Sequence, residues 1–294
     1  MNTPQSINNR LLRLYPVHYI KENFNSEQRI QSEIVNDIIA RFNDQAISEF
    51  VFNHVNITKQ SIYVYNTANV YRHRNNVIAD ELGLEITSQQ LVDGVLTLGG
   101  YHSIVVEIRI LDENRNYQEL NLIIKQPYQV IVKGNYIVIK LTKVESNLRA
   151  YLGNTVEVLK SKKLSDDSDA INSILTYFDQ NHHVRPGKAD LNRGVKHLWE
   201  NDIIDSREVA YRKDSSRATE IMDENSLYKE IYPEAYIETM RNPLENCTFR
   251  YLGEDENFPE HFICDATNGT LSFNIYPKNL NQINAVIDEI IRNN

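Results

Sequence analysis

The sequence predicts an α+β fold, and three observations lead to this class. An amphipathic helix near the start of the chain precedes several short runs that are rich in β-branched and aromatic residues. Polar or Gly-Asn turns separate these runs, as they do in an antiparallel meander. Further helices and hairpins, with an amphipathic helix at the end, fill the second half of the chain. Helices combined with antiparallel strands define the α+β class.

The length of 294 residues favours two domains, because it exceeds the usual size of a single one. The most polar stretch in the middle of the chain covers residues 160–169 and is the best candidate for a boundary. We therefore predict an α+β domain with a meander over 1–160. The second domain, over 161–294, would hold a helical segment with a hairpin and then a small sheet with a helix.

In the first domain, apolar residues at helical spacing predict a helix over 26–44, with Ser26 as its N-cap. Aromatic and β-branched residues predict strands at 50–52 and 61–65, and a short helix over 75–82 would end at Gly83. The clearest alternation follows and predicts a meander with strands at 104–110, 120–124, 128–132 and 136–141.

The second domain begins with predicted helices at 170–180 and 189–204, separated by a Pro-Gly turn. The period then changes, and residues 207–222 are expected to form a two-stranded hairpin. The remaining segments predict strands at 248–252, 262–267 and 271–275, then a helix over 280–291 whose apolar face should dock on the sheet.

Composition excludes several classes of protein. The net charge of −9 argues against a generally basic nucleic-acid coat and against a protein that binds anionic membranes. No stretch of about 18 uninterrupted apolar residues is present, so no membrane partner is expected. The two cysteines and the polar residues after Met1 indicate a reducing compartment, so we expect a cytoplasmic location for this acidic protein.

The order of helix, turn, helix and hairpin over residues 170–222 resembles a winged helix, with 189–204 in the place of the recognition helix and 207–222 as the wing. Between Arg185 and Arg217, basic residues outnumber acidic ones by 8 to 6, although the protein is acidic overall. The resemblance implies contact with DNA or RNA phosphates. The set of side chains that it assigns to this role is Arg193, Lys196, Arg212, Lys213 and Arg217. The alternative is a protein-contact module with a solvated face.

Residues 91–109 resemble the strand pattern of the PD-(D/E)XK nucleases, in which an acid enters one strand and an acid-x-base triplet lies on the next. The resemblance implies that Asp93 and Glu107 bind Mg²⁺, the only cofactor considered, and that Arg109 stabilises charge in the transition state. The chain departs from the family because Arg109 replaces a lysine and no helix follows the second strand. The alternative is a polar row on a half-exposed strand.

Two other groups of residues invite a functional interpretation. Cys247, His261 and Cys264 lack the fourth ligand of a closed zinc site, so no metal is expected and the cysteines are predicted to lie in the core. Residues 220–260 hold three basic and eleven acidic side chains with four interleaved tyrosines. This acidic region could dock a basic partner, or it could simply be a soluble face.

Three hypotheses remain open. The first is a non-catalytic accessory subunit of bacterial or phage-related origin, acting in a defence or mobile-element system through nucleic-acid or protein contacts. The second is a Mg²⁺-dependent nuclease that uses Asp93 and Glu107. The third is a pure protein-protein adaptor, since no complete catalytic constellation is evident and another protein subunit is an expected partner.

Overall fold

A computed structural model describes residues 2–68, 77, 79–111, 114–144, 148–152, 157–213, 216–221 and 226–294. The helices are α1 (Pro4–Leu12), α2 (Val17–Asn23), α3 (Gln31–Arg41), α4 (Asp44–Asn53), α5 (Ala79–Leu82), α6 (Arg149–Leu152), α7 (Asp167–His182), α8 (Asn192–Glu200), α9 (Tyr228–Ile231), α10 (Pro233–Arg241) and α11 (Gln282–Arg292), with a 3₁₀ turn at Val55–Ile57.

The strands form one antiparallel sheet, and the predicted α+β class is confirmed. Their bounds are β1 (Gln60–Asn66), β2 (Glu85–Val92), β3 (Val95–Leu111), β4 (Tyr117–Lys133), β5 (Tyr136–Thr142), β6 (Glu157–Lys163), β7 (Gly187–Lys188), β8 (Ile204–Lys213), β9 (Ser216–Ile221), β10 (Leu244–Tyr251), β11 (His261–Asp265) and β12 (Thr270–Phe273). The order across the sheet is β2-β3-β4-β5-β1-β12-β11-β10-β8-β9, with β6 paired to β3 and β7 to β1.

Helices α1 to α4 form a layer at the N-terminal end of the chain, and α4 lies where a strand was predicted. The helix expected over 26–44 is present as α3, although Ser26 does not cap it and instead donates to Asp37 at 2.7 Å. The strand expected at 50–52 is wrong, because these residues belong to α4. Asn43 caps α4 by accepting from the Ala46 amide at 2.9 Å, and the buried side chains of this helix follow helical spacing.

The meander is present, and its strands are longer than the sequence predicts. β3 and β4 pair without a break from Leu96–Val132 to Leu111–Tyr117, so the two runs predicted on either side of Pro127 are one strand. Pro127 lies opposite Tyr101 inside this ladder. The turn at Asp93 and Gly94 joins β2 to β3, and both residues have positive φ (51° and 77°), as a tight hairpin requires.

Side chains on the two faces of the sheet enter different cores. The C-terminal core contains Ile62 and Val64 from β1 together with α8 and α11, and the central core contains α7 with β4 and β5. The N-terminal core lies between the first four helices and the far halves of β3 and β4. The predicted docking of the last helix on the sheet is confirmed, since α11 buries Ile283, Val286 and Ile290 in the C-terminal core.

The close approach of α8 to α11 depends on a glycine. A Cβ atom at Gly194 would lie 2.1 Å from the backbone oxygen of Ile290, so a larger residue would push the two helices apart. This contact fixes α8 on the C-terminal core.

The boundary predicted between residues 160 and 161 falls inside β6, which pairs with β3 from Val106–Lys163 to Leu111–Glu157. Residues 157–163 are therefore a strand and not a linker, and the sheet continues from one predicted half of the chain into the other. The division into two domains stays a prediction.

The segment that resembles a winged helix has the expected order of elements and a different packing. The two helices of a helix-turn-helix unit pack on each other. Here α7 buries its apolar side chains in the central core, whereas α8 buries Val195, Leu198 and Trp199 in the C-terminal core. The hairpin β8–β9 extends the sheet, because β8 also pairs with β10. This segment is therefore part of the larger sheet.

Candidate functional site

The structure does not bring together the two carboxylates assigned to a nuclease site. Asp93 lies in the turn before β3, and Glu107 lies twelve residues after Val95 on that same unbroken strand. At about 3.3 Å per residue, this separation is about 40 Å along the strand. One Mg²⁺ ion cannot bind both groups at that distance.

The surroundings of Glu107 also differ from a cleft. Glu107 lies between two neighbouring strands, opposite Asn121 of β4 and Lys162 of β6. Arg109 forms an ion pair with Glu119 across the sheet, with 2.7 Å between Nε and Oε1. The alternative interpretation, a polar row on a half-exposed strand, agrees with this arrangement. In the part of the chain that the structure describes, no group of three or more His, Cys, Asp or Glu side chains is arranged to hold a metal ion.

Two of the five proposed phosphate contacts lie on α8 and already have protein partners. The Lys196 ammonium donates to the backbone oxygen of Asn242 at 2.8 Å, and its partial burial lowers its pKa. The Arg193 guanidinium donates to the backbone oxygen of Asn294 at 3.4 Å. Both cations therefore contact backbone oxygens of the protein.

The other three proposed contacts lie at the end of the β8–β9 hairpin. Arg212 is directly opposite Arg217 in the strand register, and Lys213 is opposite Ser216. The side chains of these residues, and residues 214–215, lie outside the described part of the chain. The register alone places two arginines directly opposite each other, one pair before the last described pair of the hairpin.

The two cysteines lie in the C-terminal core, as predicted. Cys247 on β10 is directly opposite Cys264 on β11, and both side chains are fully buried thiols that are not joined in a disulfide. Burial raises the pKa of the Cys264 thiol well above its usual value, and the neighbouring Cys247 adds to this effect. His261 has a half-exposed side chain and lies opposite Arg250 in the same pair of strands.

The acidic region at 220–260 is built on an aromatic cluster. Tyr228 and Tyr236 pack around the ring of Trp199, with centroid distances of 5.5 and 5.3 Å. Tyr251 stacks on Phe258 at 4.7 Å, and the ring of Tyr232 lies 6.0 Å from that of Tyr228, so all four interleaved tyrosines contact another aromatic ring. Residues 222–225 of this region lie outside the described part.

A buried aspartate, which sequence reasoning missed, joins this cluster to the sheet. Asp205 on β8 accepts hydrogen bonds from the Trp199 indole at 3.1 Å and from the Tyr228 amide at 3.3 Å. It also forms an ion pair with Arg250 at 3.2 Å, and only 3% of its side chain is exposed. These contacts fix the start of α9 against β8. No local pattern in the sequence indicates this role, because the three partners come from three other elements, α8, α9 and β10.

A buried lysine is a second feature that the sequence does not reveal. Lys140 on β5 is fully buried, and its ammonium donates to the amide oxygens of Asn56 in the 3₁₀ turn and Asn284 on α11. Burial lowers the pKa of Lys140 to about 7, and the Asp288 carboxylate opposes part of this shift. Lys140 on the sheet is thus linked to the 3₁₀ turn and to the last helix.

The outward side of α9 and α10 carries apolar side chains among carboxylates. Ile231, Tyr232 and Ile237 are 44%, 46% and 50% exposed. Glu230 and Glu234 are exposed beside them in the sequence. The acidic docking region predicted from the sequence therefore combines exposed apolar side chains with exposed carboxylates.

No protein-family model matches the chain, and no curated protein shows significant sequence similarity to it. Among the described residues, no helix is both long and apolar enough to cross a membrane.

Proposed function

We propose that this chain is a non-catalytic accessory subunit of the cytoplasm, which contacts nucleic acid through the end of the β8–β9 hairpin and assembles with another protein. The observation that carries the nucleic-acid contact is the register of Arg212 opposite Arg217. Like charges directly opposite each other destabilise an antiparallel pair. A polyanion bound at the hairpin end would offset this repulsion.

The position of the hairpin supports this proposal. β9 forms the last strand on its side of the sheet order, so the hairpin lies at an edge. Basic side chains at such an edge contact a phosphate backbone without requiring a basic protein surface elsewhere. The overall charge of −9 restricts the contact to this local site.

We assign this role to three of the five residues that the sequence resemblance implied. Arg193 and Lys196 donate to backbone oxygens of the protein, so a phosphate would have to compete with these partners. We therefore propose Arg212, Lys213 and Arg217 as the phosphate-contacting set. Neither the recognition-helix role of α8 nor a Mg²⁺ site at Asp93 and Glu107 forms part of the proposal.

Replacing Arg212, Lys213 and Arg217 together with Ala should weaken binding of a fluorescent 20-base-pair DNA duplex roughly tenfold or more at 50 mM salt. Each lost phosphate contact lowers the slope of log K against log salt by about 0.9, so the slope should flatten by about 2 to 3. Fluorescence anisotropy over 50 to 200 mM salt measures both quantities, and a single-stranded RNA of equal length shows which nucleic acid is preferred.

The matched control is the triple substitution of Lys160, Lys162 and Lys163 by Ala. These lysines lie on β6 and have exposed side chains. Their replacement by Ala removes the same formal charge as the triple substitution in the hairpin. The control should bind with nearly the parent slope if the contact is local to the hairpin. The proposed nucleic-acid contact would be refuted if both triple variants lost the same DNA affinity. It would also be refuted if the parent protein showed no salt-sensitive binding at about 50 mM salt.

A further inference from the structure

The face of α10 that points away from the sheet has a defined pattern of side chains. Glu234, Ile237, Glu238 and Arg241 are spaced by three or four residues and therefore share one side of the helix. On the opposite side, Ala235 packs on the C-terminal core and Thr239 is fully buried, and Tyr236 and Met240 also pack on that core from one flank of the helix. Ile237 is thus an apolar side chain in the middle of a charged, outward stripe.

Hydrogen bonds and ring contacts anchor α9 and α10, which carry this surface, to the rest of the protein. The amide of Tyr228 binds Asp205, and the Tyr228 hydroxyl lies 3.4 Å from the hydroxyl of Thr239 on α10. The ring of Tyr236 packs edge-on against Trp199. Because α9 and α10 are anchored in this way, a partner would meet a preformed surface and would not have to order it.

The charges around the surface are mostly negative. Glu230, Glu234 and Glu238 lie on the two helices, and the carboxylates of Glu200 and Asp202 are near enough to raise the pKa of Tyr236, whose own burial is the larger cause. The cations near this surface include Lys229, which is bound to Asp202, and Arg241, which lies at the end of α10. A third, Lys196, donates to the backbone oxygen of Asn242 directly after that helix. An incoming segment that carries positive charge would therefore be favoured.

We propose that the outward face of α9 and α10 docks an amphipathic helix of a second protein, with apolar residues along one side and Lys or Arg at its flanks. Ile231, Tyr232 and Ile237 would contact the apolar side, and the surrounding glutamates would contact the basic flanks. This inference rests on the assembly half of the proposed function and gives the chemistry of the partner. Helix-on-helix packing of this kind places apolar side chains of one helix between those of the other.

The test uses two synthetic helical peptides with the same leucine spacing, one flanked by lysines and the other by glutamates. We expect the Leu/Lys peptide to bind the parent protein and the Leu/Glu peptide not to bind. Ile237→Asp should weaken binding of the Leu/Lys peptide at least tenfold, even though it adds a negative charge to the surface. The matched control is Ile30→Asp, which changes an isoleucine of similar exposure (59%) at the start of α3 and should bind like the parent.

Calorimetric titration measures binding in four pairs: the parent with each of the two peptides, and Ile237→Asp and Ile30→Asp with the Leu/Lys peptide. If Ile237→Asp binds the Leu/Lys peptide as tightly as the parent does, the attraction is charge alone and the docking surface is refuted. Sedimentation velocity supplies a second check, because a dimer of the parent that Ile237→Asp abolishes would assign the surface to a second copy of this chain and overturn the proposal. Duplex DNA binding by Ile237→Asp should equal that of the parent, so failure here is distinguishable from failure of the hairpin contact.

Discussion

Replacing Lys140 with Met should change the pH dependence of stability by on the order of 4 to 5 kcal/mol between pH 7 and pH 10.5. The pKa of Lys140 is lowered from 10.5 to about 7 in the folded protein, and each unit of difference corresponds to about 1.36 kcal/mol. Between these two pH values the unfolded chain binds the proton and the folded chain does not. The parent protein should therefore gain stability over Lys140→Met as the pH rises through this window, and the difference should become constant below about pH 6, where the folded chain is protonated as well.

Chemical denaturation of both proteins at several pH values measures this effect, because the difference between the two curves cancels the other titrating groups. The control is Lys133→Met, which removes an exposed lysine that lies 3.5 Å from Asp288. Its curve should run parallel to that of the parent over the same pH range. Parallel curves for Lys140→Met and the parent would show that the buried amine does not titrate with a lowered pKa.

Replacing Asp205 with Ala should lower the free energy of unfolding by about 3 to 5 kcal/mol, the usual cost of removing one partner from a buried ion pair. The substitution leaves the Arg250 guanidinium, the Trp199 indole and the Tyr228 amide without this acceptor. Trp199 is the single tryptophan, so its fluorescence emission reports the environment of the cluster directly. We expect a changed emission spectrum in the folded variant and a lower denaturation midpoint.

Glu260→Ala provides the comparison for Asp205→Ala. Glu260 pairs with Lys278, both side chains are more than 60% exposed, and such surface pairs contribute about 1 kcal/mol or less. The Trp199 emission should not change in this control. A loss of stability in Asp205→Ala no greater than that in Glu260→Ala would mean that Asp205 does not hold α9 on the sheet.

Several elements could be predicted because their local signals agree. The helix at the C-terminus and the hairpin around residues 204–221 each combine a regular apolar period with clear turn residues, and both are present in the structure. The strand expected at 50–52 is wrong because a short aromatic run outweighed a longer helical pattern. Asn43 as a cap, followed by Ile47, Phe50 and Val51 at helical spacing, contained the correct signal.

The candidate nuclease site shows where spacing in the sequence misleads. Asp93 and Glu107 have the separation of residues on neighbouring strands, but β3 continues for 17 residues from one core into the next. Leu96 and Leu98 of this strand enter the central core, whereas Ile104 and Ile108 enter the N-terminal core. The sequence does not predict this length, since nothing in a strand pattern shows that one strand serves two cores.

The sequence by itself determined the α+β class, the alternation of most strands, the acidic character of residues 220–260 and the burial of the two cysteines. These properties follow from residue type and from periods of about two or 3.6 residues, which are local. The tertiary structure alone decided that Lys140 is buried between Asn56 and Asn284, and that Asp205 joins Trp199, Tyr228 and Arg250. Those contacts join residues that are far apart in the chain, and they form only when the long sheet brings its strands and helices together.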